Sequence, residues 1–157
     1  MIGNIISGIV SQLIYDPTVI DPPYTGENTT PTFYQGAKDE LNVAINEEND
    51  AFVFLVRPVK WDSEIKNSKN VNTKYNISIG FFKDTSFAEN RITDIDAVLD
   101  LLTALYQDFL KEVYNQSYDI EGLTAEEVYN DASFDNNVSG VLTTLIFVVE
   151  NEYNVCN

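Results

Sequence analysis

The chain has 157 residues, with 9 Lys plus Arg against 25 Asp plus Glu, a formal net charge of −16 at pH 7 and no His. A hydrophobic content of 44%, with 12% aromatic, predicts one globular domain with its own core and excludes a disordered acidic tail. The charge disfavours free nucleic acid and anionic membranes as partners. The lack of His removes the usual proton shuttle and the His-dependent triads, and the lone Cys156 rules out an internal disulfide or a cysteine zinc site.

In chain order, Ile2, Ile5, Ile6, Ile9, Val10, Leu13 and Ile14 fall on one helical stripe, which predicts an amphipathic helix in need of a partner surface. No Lys or Arg precedes Lys38, so the segment lacks the basic region of a signal peptide, and it is too short and interrupted to span a bilayer. A cytoplasmic origin is expected. The sequons at Asn28, Asn76, Asn115 and Asn137 are then chance matches in an Asn-rich chain. Between Asp16 and Thr32 lie Pro17, Pro22, Pro23 and Pro31, which predict an extended arm. Residues 1–32 therefore read as a helix and arm that dock on another subunit, through Ile5, Ile9 and Leu13, and residues 33–157 as a single α+β domain.

Phe33 to Asp50 is ambiguous, with Leu41, Ala44 and Ile45 spaced for a short helix. Phe52–Val59 and Lys74–Phe82 read as two strands of an antiparallel hairpin. In the second, Tyr75, Ile77, Ile79 and Phe81 alternate with Asn76, Ser78 and Gly80. Lys60 to Thr73 reads as the long polar loop between them. After a loop from Asp84 to Arg91, Thr93 is a candidate N-cap with Asp94 and Asp96 in the first turn. Ile95, Val98, Leu99, Leu102, Leu105, Tyr106, Phe109, Leu110 and Val113 then mark one face of a long helix. Leu123–Asn130 reads as a short helix, because Thr124 and Glu127 have capping-box spacing. Val138–Glu150 is a strand apolar on both sides, hence central or covered. The expected fold class is α+β: a small antiparallel sheet packed on one long amphipathic helix.

Candidate chemistry is sparse. Neither a P-loop nor a GxGxxG motif is present. Asp96 and Asp100 share a helix face but read as a solvated, dipole-favoured pair. Asp131, Ser133 and Asp135 have calcium-loop spacing, yet Asn136 and Leu142 stand where such a loop needs Gly and Glu. Trp61 beside Lys60 and Arg57 reads as a packed or interface aromatic, because the overall field opposes a nucleic-acid role. No catalytic residue, metal ligand or cofactor is expected.

The charge is unevenly placed. Arg57, Lys60, Lys66, Lys69, Lys74, Lys83 and Arg91 face only Asp62, Glu64, Asp84 and Glu89 in the same stretch, a local excess of +3 in a strongly negative chain. A basic tip of Arg57, Lys60, Trp61, Lys66, Lys69 and Lys74 meeting acidic surface on an identical neighbour gives heterologous contacts, which close into rings when the rotation allows.

The succession F-V-F-L-x-x-P-V, polar loop, K-Y-N-I-S-I-G-F-F-K-D, acid-capped helix and S-G-V-L-T-T-L-I-F resembles tail-terminator and neck-ring proteins of tailed phages. It is most similar to those of phages infecting Bacteroides-type hosts, the crAss-like phages included. F-Y-Q-G-A-K-D-E-L-N and the ending N-V-C-N are similar to theirs as well, so the resemblance runs from Phe33 to Asn157. It implies a tail-terminator-like fold and a virion structural protein that forms a hexameric or dodecameric ring between portal and tail. The implied partners are identical subunits and the adjoining portal, neck or tail proteins. DNA would pass through a negative lumen without specific binding. The competing reading from charge alone is a small acidic binding protein that mimics DNA.

Overall fold

A computed structural model describes residues 1–16, 29–37, 51–66, 70–84, 95–134 and 136–154. The described elements are α1 (Ile2–Val10), β1 (Thr32–Gly36), β2 (Phe52–Val56), β3 (Lys60–Lys66), β4 (Asn70–Asp84), α2 (Ile95–Asn115), β5 (Asp119–Phe134) and β6 (Asn136–Asn154). The class is α+β, with both helices on one face of an open, mostly antiparallel six-stranded sheet.

The sheet order is β1-β2-β4-β6-β5, and β3 also pairs with β4. β4 and β6 run antiparallel from Asp84↔Val138 to Asn70↔Asn154, with one register shift between Val71 and Thr73. β6 is central, as its two-sided apolarity requires. β2 pairs with β4 through Phe52↔Phe82 to Leu55↔Ile79, so the expected hairpin partners do meet. The stretch between them is not a loop. Lys60–Lys66 forms β3 and returns antiparallel on β4, from Lys60↔Asn76 to Lys66↔Asn70. Only residues 67–69 between these two strands lie outside the described residues. Trp61, Ile65, Val71 and Tyr75 supply the aromatic and β-branched content of a ribbon, which charge alone obscured.

Two further expectations are corrected. Leu123–Asn130 is not a helix but part of the sixteen-residue strand β5. Its Thr, Val and Tyr suit a strand, and the free edge of β6 offers backbone partners that outweigh a local capping-box pattern. β1, which the sequence left ambiguous, pairs parallel with β2 from Thr32↔Phe52 to Gly36↔Val56. The short helix considered around Leu41, Ala44 and Ile45 lies outside the described residues, as do Thr93 and Asp94.

α2 has the predicted phase. Val98, Leu102, Leu105, Phe109 and Val113 are buried, and Asp96 sits in the first turn. The helix ends at Ser117, whose φ is 66°. There the Tyr118 N–H donates to the Val113 carbonyl and the Ser117 N–H to that of Tyr114, at 3.0 Å each. That 6→1 and 5→2 pair is a Schellman ending with Ser at the left-handed position where Gly is favoured. Tyr118 then packs on Phe147, with ring centroids 5.2 Å apart.

The main core lies between the sheet and the helices. Phe81 is its hub, with ring centroids 5.4 Å from Phe109 and 5.8 Å from Tyr106. On the opposite face Phe52, Phe54, Phe82, Val128 and Val138 form a second buried cluster. The Phe82 ring occupies the place a Cβ on Gly80 would need. At Gly140, with φ of 152°, a Cβ would strike the Phe81 carbonyl, so only glycine allows β6 to close on β4 there.

α1 corrects the sequence reading of residues 1–32. Ile2, Ile6, Ile9, Val10 and Leu13 belong to the chain's own main core, together with residues of α2 and the sheet. Tyr15 ties the end of this segment down. It exchanges backbone hydrogen bonds with Thr29 at 2.8 and 2.9 Å, and its hydroxyl accepts from the Ala51 N–H at 3.1 Å. A stripe that the sequence assigns to a neighbouring subunit is thus satisfied within the chain. The Pro-rich segment 17–28 lies outside the described residues.

Two stability predictions follow from this packing. Ile6→Ala should cost about 2–5 kcal/mol in urea unfolding, the range for emptying a buried aliphatic site. If α1 served only an intersubunit contact, the isolated chain would keep its midpoint. Ser117→Gly should raise stability by about 1 kcal/mol, because it relieves a left-handed non-glycine residue, and the same melts read it.

Candidate interaction surfaces

The basic tip expected from the sequence is smaller in the folded chain. Arg57 is not at a tip. Its Nη2 and Nε donate to Gln35 Oε1 at 2.7 and 3.3 Å, and its backbone N–H donates to the Gly36 carbonyl at 2.8 Å. A Cβ at Gly3 of α1 would lie 2.6 Å from Gln35 Oε1 and 2.8 Å from Arg57 Nη2. Arg57 therefore helps join α1, β1 and the end of β2. Lys83 is fully buried and adds no positive surface. Lys74 holds Glu121 of β5 with Nζ–Oε2 at 3.0 Å across β6.

What remains of the expected site lies on β3. Lys60 is exposed at its start and Lys66 ends it, while Lys69 lies outside the described residues. Trp61 tilts on Tyr75 with ring centroids 6.1 Å apart, yet Trp61 and Ile65 remain 53% and 65% exposed. Both lie on the helix side of the sheet, because Trp61 faces Tyr75 and Ile65 faces Val71 in register. Two apolar side chains so exposed on one short edge strand are a stronger candidate for a contact surface than the lysines. Of the other predicted interface residues, Ile5 is half-buried and Ile9 and Leu13 are in the core.

The opposite margin of the sheet is acidic: it is β5, of which the sequence reading placed Leu123–Asn130 in a short helix. Asp119, Glu121, Glu126, Glu127 and Asp131 all fall on this strand, which carries no basic residue. Its side chains from Glu121 to Glu127 are exposed, and Leu123 and Tyr129 stand 40% and 57% exposed. Beside it, Asp96 and Asp100 of α2 and Glu126 and Glu127 of β5 line a cleft of about 550 Å³ floored by Leu99 and Val141. Among the described residues no group of three acidic, His or Cys side chains could hold a metal ion. No described helix is long and apolar enough to cross a membrane. The sequence matches no protein-family model, and no curated protein shows significant similarity to it.

The Lys74–Glu121 pair gives a pH dependence. The Lys74 amine is held above its ordinary value, first by the hydrogen bond to Glu121 and then by that carboxylate's charge, with a smaller push from Glu64. A raised lysine pKa in the fold adds stability that is complete below the unfolded pKa and is lost as pH rises through the folded one. Lys74→Met should therefore melt slightly below wild type at neutral pH, and the two curves should converge in strong alkali. A gap that stays constant with pH would show that packing, not charge, links β4 to β5.

Proposed function

We propose that this chain is a structural, non-catalytic virion protein of a tailed phage. It assembles with identical subunits into a ring of the neck or tail, as a tail terminator or head–tail connector. Portal, neck or tail proteins adjoin the ring, and DNA passes through its lumen without specific binding. The observation that carries the reading is where the resembling segments lie. F-V-F-L, K-Y-N-I-S-I-G-F-F-K-D and S-G-V-L-T-T-L-I-F form β2, β4 and β6, three consecutive neighbours in one sheet beneath α2. Outside them stand exposed apolar residues on both sides, Trp61 and Ile65 at one edge and Leu123 and Tyr129 at the other. An assembly of identical subunits uses such paired surfaces.

The acidic cleft beside β5 favours a second reading, a small protein that binds a basic partner and mimics DNA. The two readings differ in assembly state. Light scattering on the eluting protein should give a multiple of 17.7 kDa that corresponds to a closed ring, and the chain should be present in purified virions. A monomer at every concentration, absent from particles, would favour the acidic binding protein.

A further inference from the structure

β3 and β5 are the outermost strands of the sheet at the level of β4's first half and of β6, and no described strand pairs with the outer side of either. Long bare edges are normally guarded by lysine, proline or short length. β5 has sixteen residues with neither Lys nor Pro, and its register with β6 is unbroken from Leu123 to Val128. β3 has seven residues, with Lys60 and Lys66 at its ends and Asp62 and Glu64 between them, so it is formally neutral where the charges of β5 are all acidic.

The two edges run in opposite directions. β3 is antiparallel to β4, β4 to β6, and β6 to β5. A second copy that is rotated about a ring axis but not inverted therefore brings its β3 antiparallel to β5. The same operation keeps the helix sides together. Trp61, Ser63 and Ile65 of one copy then share a face with Leu123, Ala125 and Glu127 of the other, as their partners Tyr75, Thr73 and Val71 and Leu145, Thr143 and Val141 specify. Charge disfavours the alternative of β5 against β5 about a two-fold axis, which sets an all-acidic strand against itself.

We infer that β3 of one subunit pairs edge to edge with β5 of the next, so that the sheet continues head to tail between copies of this chain. Trp61 and Ile65 are covered at that junction, and β3, which carries Lys60 and Lys66, lies against the acidic β5. The inference rests on the ring reading and names the surfaces that close the ring.

Cysteine pairs test strand pairing and face together. In a Cys156→Ser background, Ser63→Cys is combined in turn with Leu123→Cys, Ala125→Cys or Glu127→Cys, and separately with Thr124→Cys or Glu126→Cys. Mild oxidation should give a ladder of covalent oligomers for at least one of the first three and for neither of the last two. In parallel, Glu126→Lys with Glu127→Lys, or Lys60→Glu with Lys66→Glu, should reduce the assembled fraction at least tenfold while circular dichroism stays that of wild type. All four changes in one chain should restore assembly. A wild-type ring with no same-face cross-link, or with assembly indifferent to both reversals, overturns the edge pairing and leaves the ring reading standing. A monomeric wild type overturns both.

Discussion

The antiparallel pairing of β4 with β6 is the constraint on which the other elements depend. β6 carries apolar side chains on both faces and so cannot stand at the margin of a sheet, while β4 alternates and gives one continuous apolar face. Tyr75, Ile77, Ile79 and Phe81 with Leu145, Phe147 and Val149 give α1 and α2 a surface to cover. Phe82 and Val138, on the reverse side, seed the second cluster. β4 is long enough to hold β2 along one part of its outer edge and β3 along the other. β5 takes the outer edge of β6. Gly140 lies against the Phe81 carbonyl in this pairing, and the absence of a side chain there is what lets the two backbones meet.

The parts of the fold legible in the sequence were those with a strong period and a single solution. α2 had a five-turn stripe, and its buried residues are the predicted ones. The alternation in β4 and the two-sided apolarity of β6 likewise translate into burial and a central place. The misread parts are those decided by partners distant in sequence. β5 carries a capping-box spacing and two adjacent glutamates, both good helical signs, and becomes a strand because β6 presents an unfilled edge. β3 is too charged to announce itself and forms because β4 continues past β2. The N-terminal stripe was recognised as a helix, but nothing local specifies that its partner is α2 of the same chain.

The candidate surfaces were less legible, and for a different reason. A count of charges along the chain cannot tell a solvated cation from one already engaged. Arg57 is held by Gln35, Lys74 by Glu121, and Lys83 is inside the fold. The positive segment read from the sequence therefore shrinks to the neighbourhood of β3. Glu126 and Glu127, read as part of a short helix, stand instead on the strand β5. Trp61, read as a packed or interface aromatic, stands half-exposed on an edge strand.

The place of β6 has a consequence for the order of events as the chain folds. β5 and β6 are adjacent in sequence and can zip together locally, joined through Phe134↔Asn136. β4 must wait for β6 until α2 and β5 have been made, since Asp84 pairs with Val138 and Asn70 with Asn154. Closing that long loop is slow compared with forming a local hairpin. During the interval β4 holds β2 and β3 along one edge, while its other edge has unpaired backbone groups beside an apolar face. A nascent chain halted before β6 would thus expose the segment best suited to stick to other chains. The rate at which the final strand becomes available should set how much protein reaches the native state and how much aggregates.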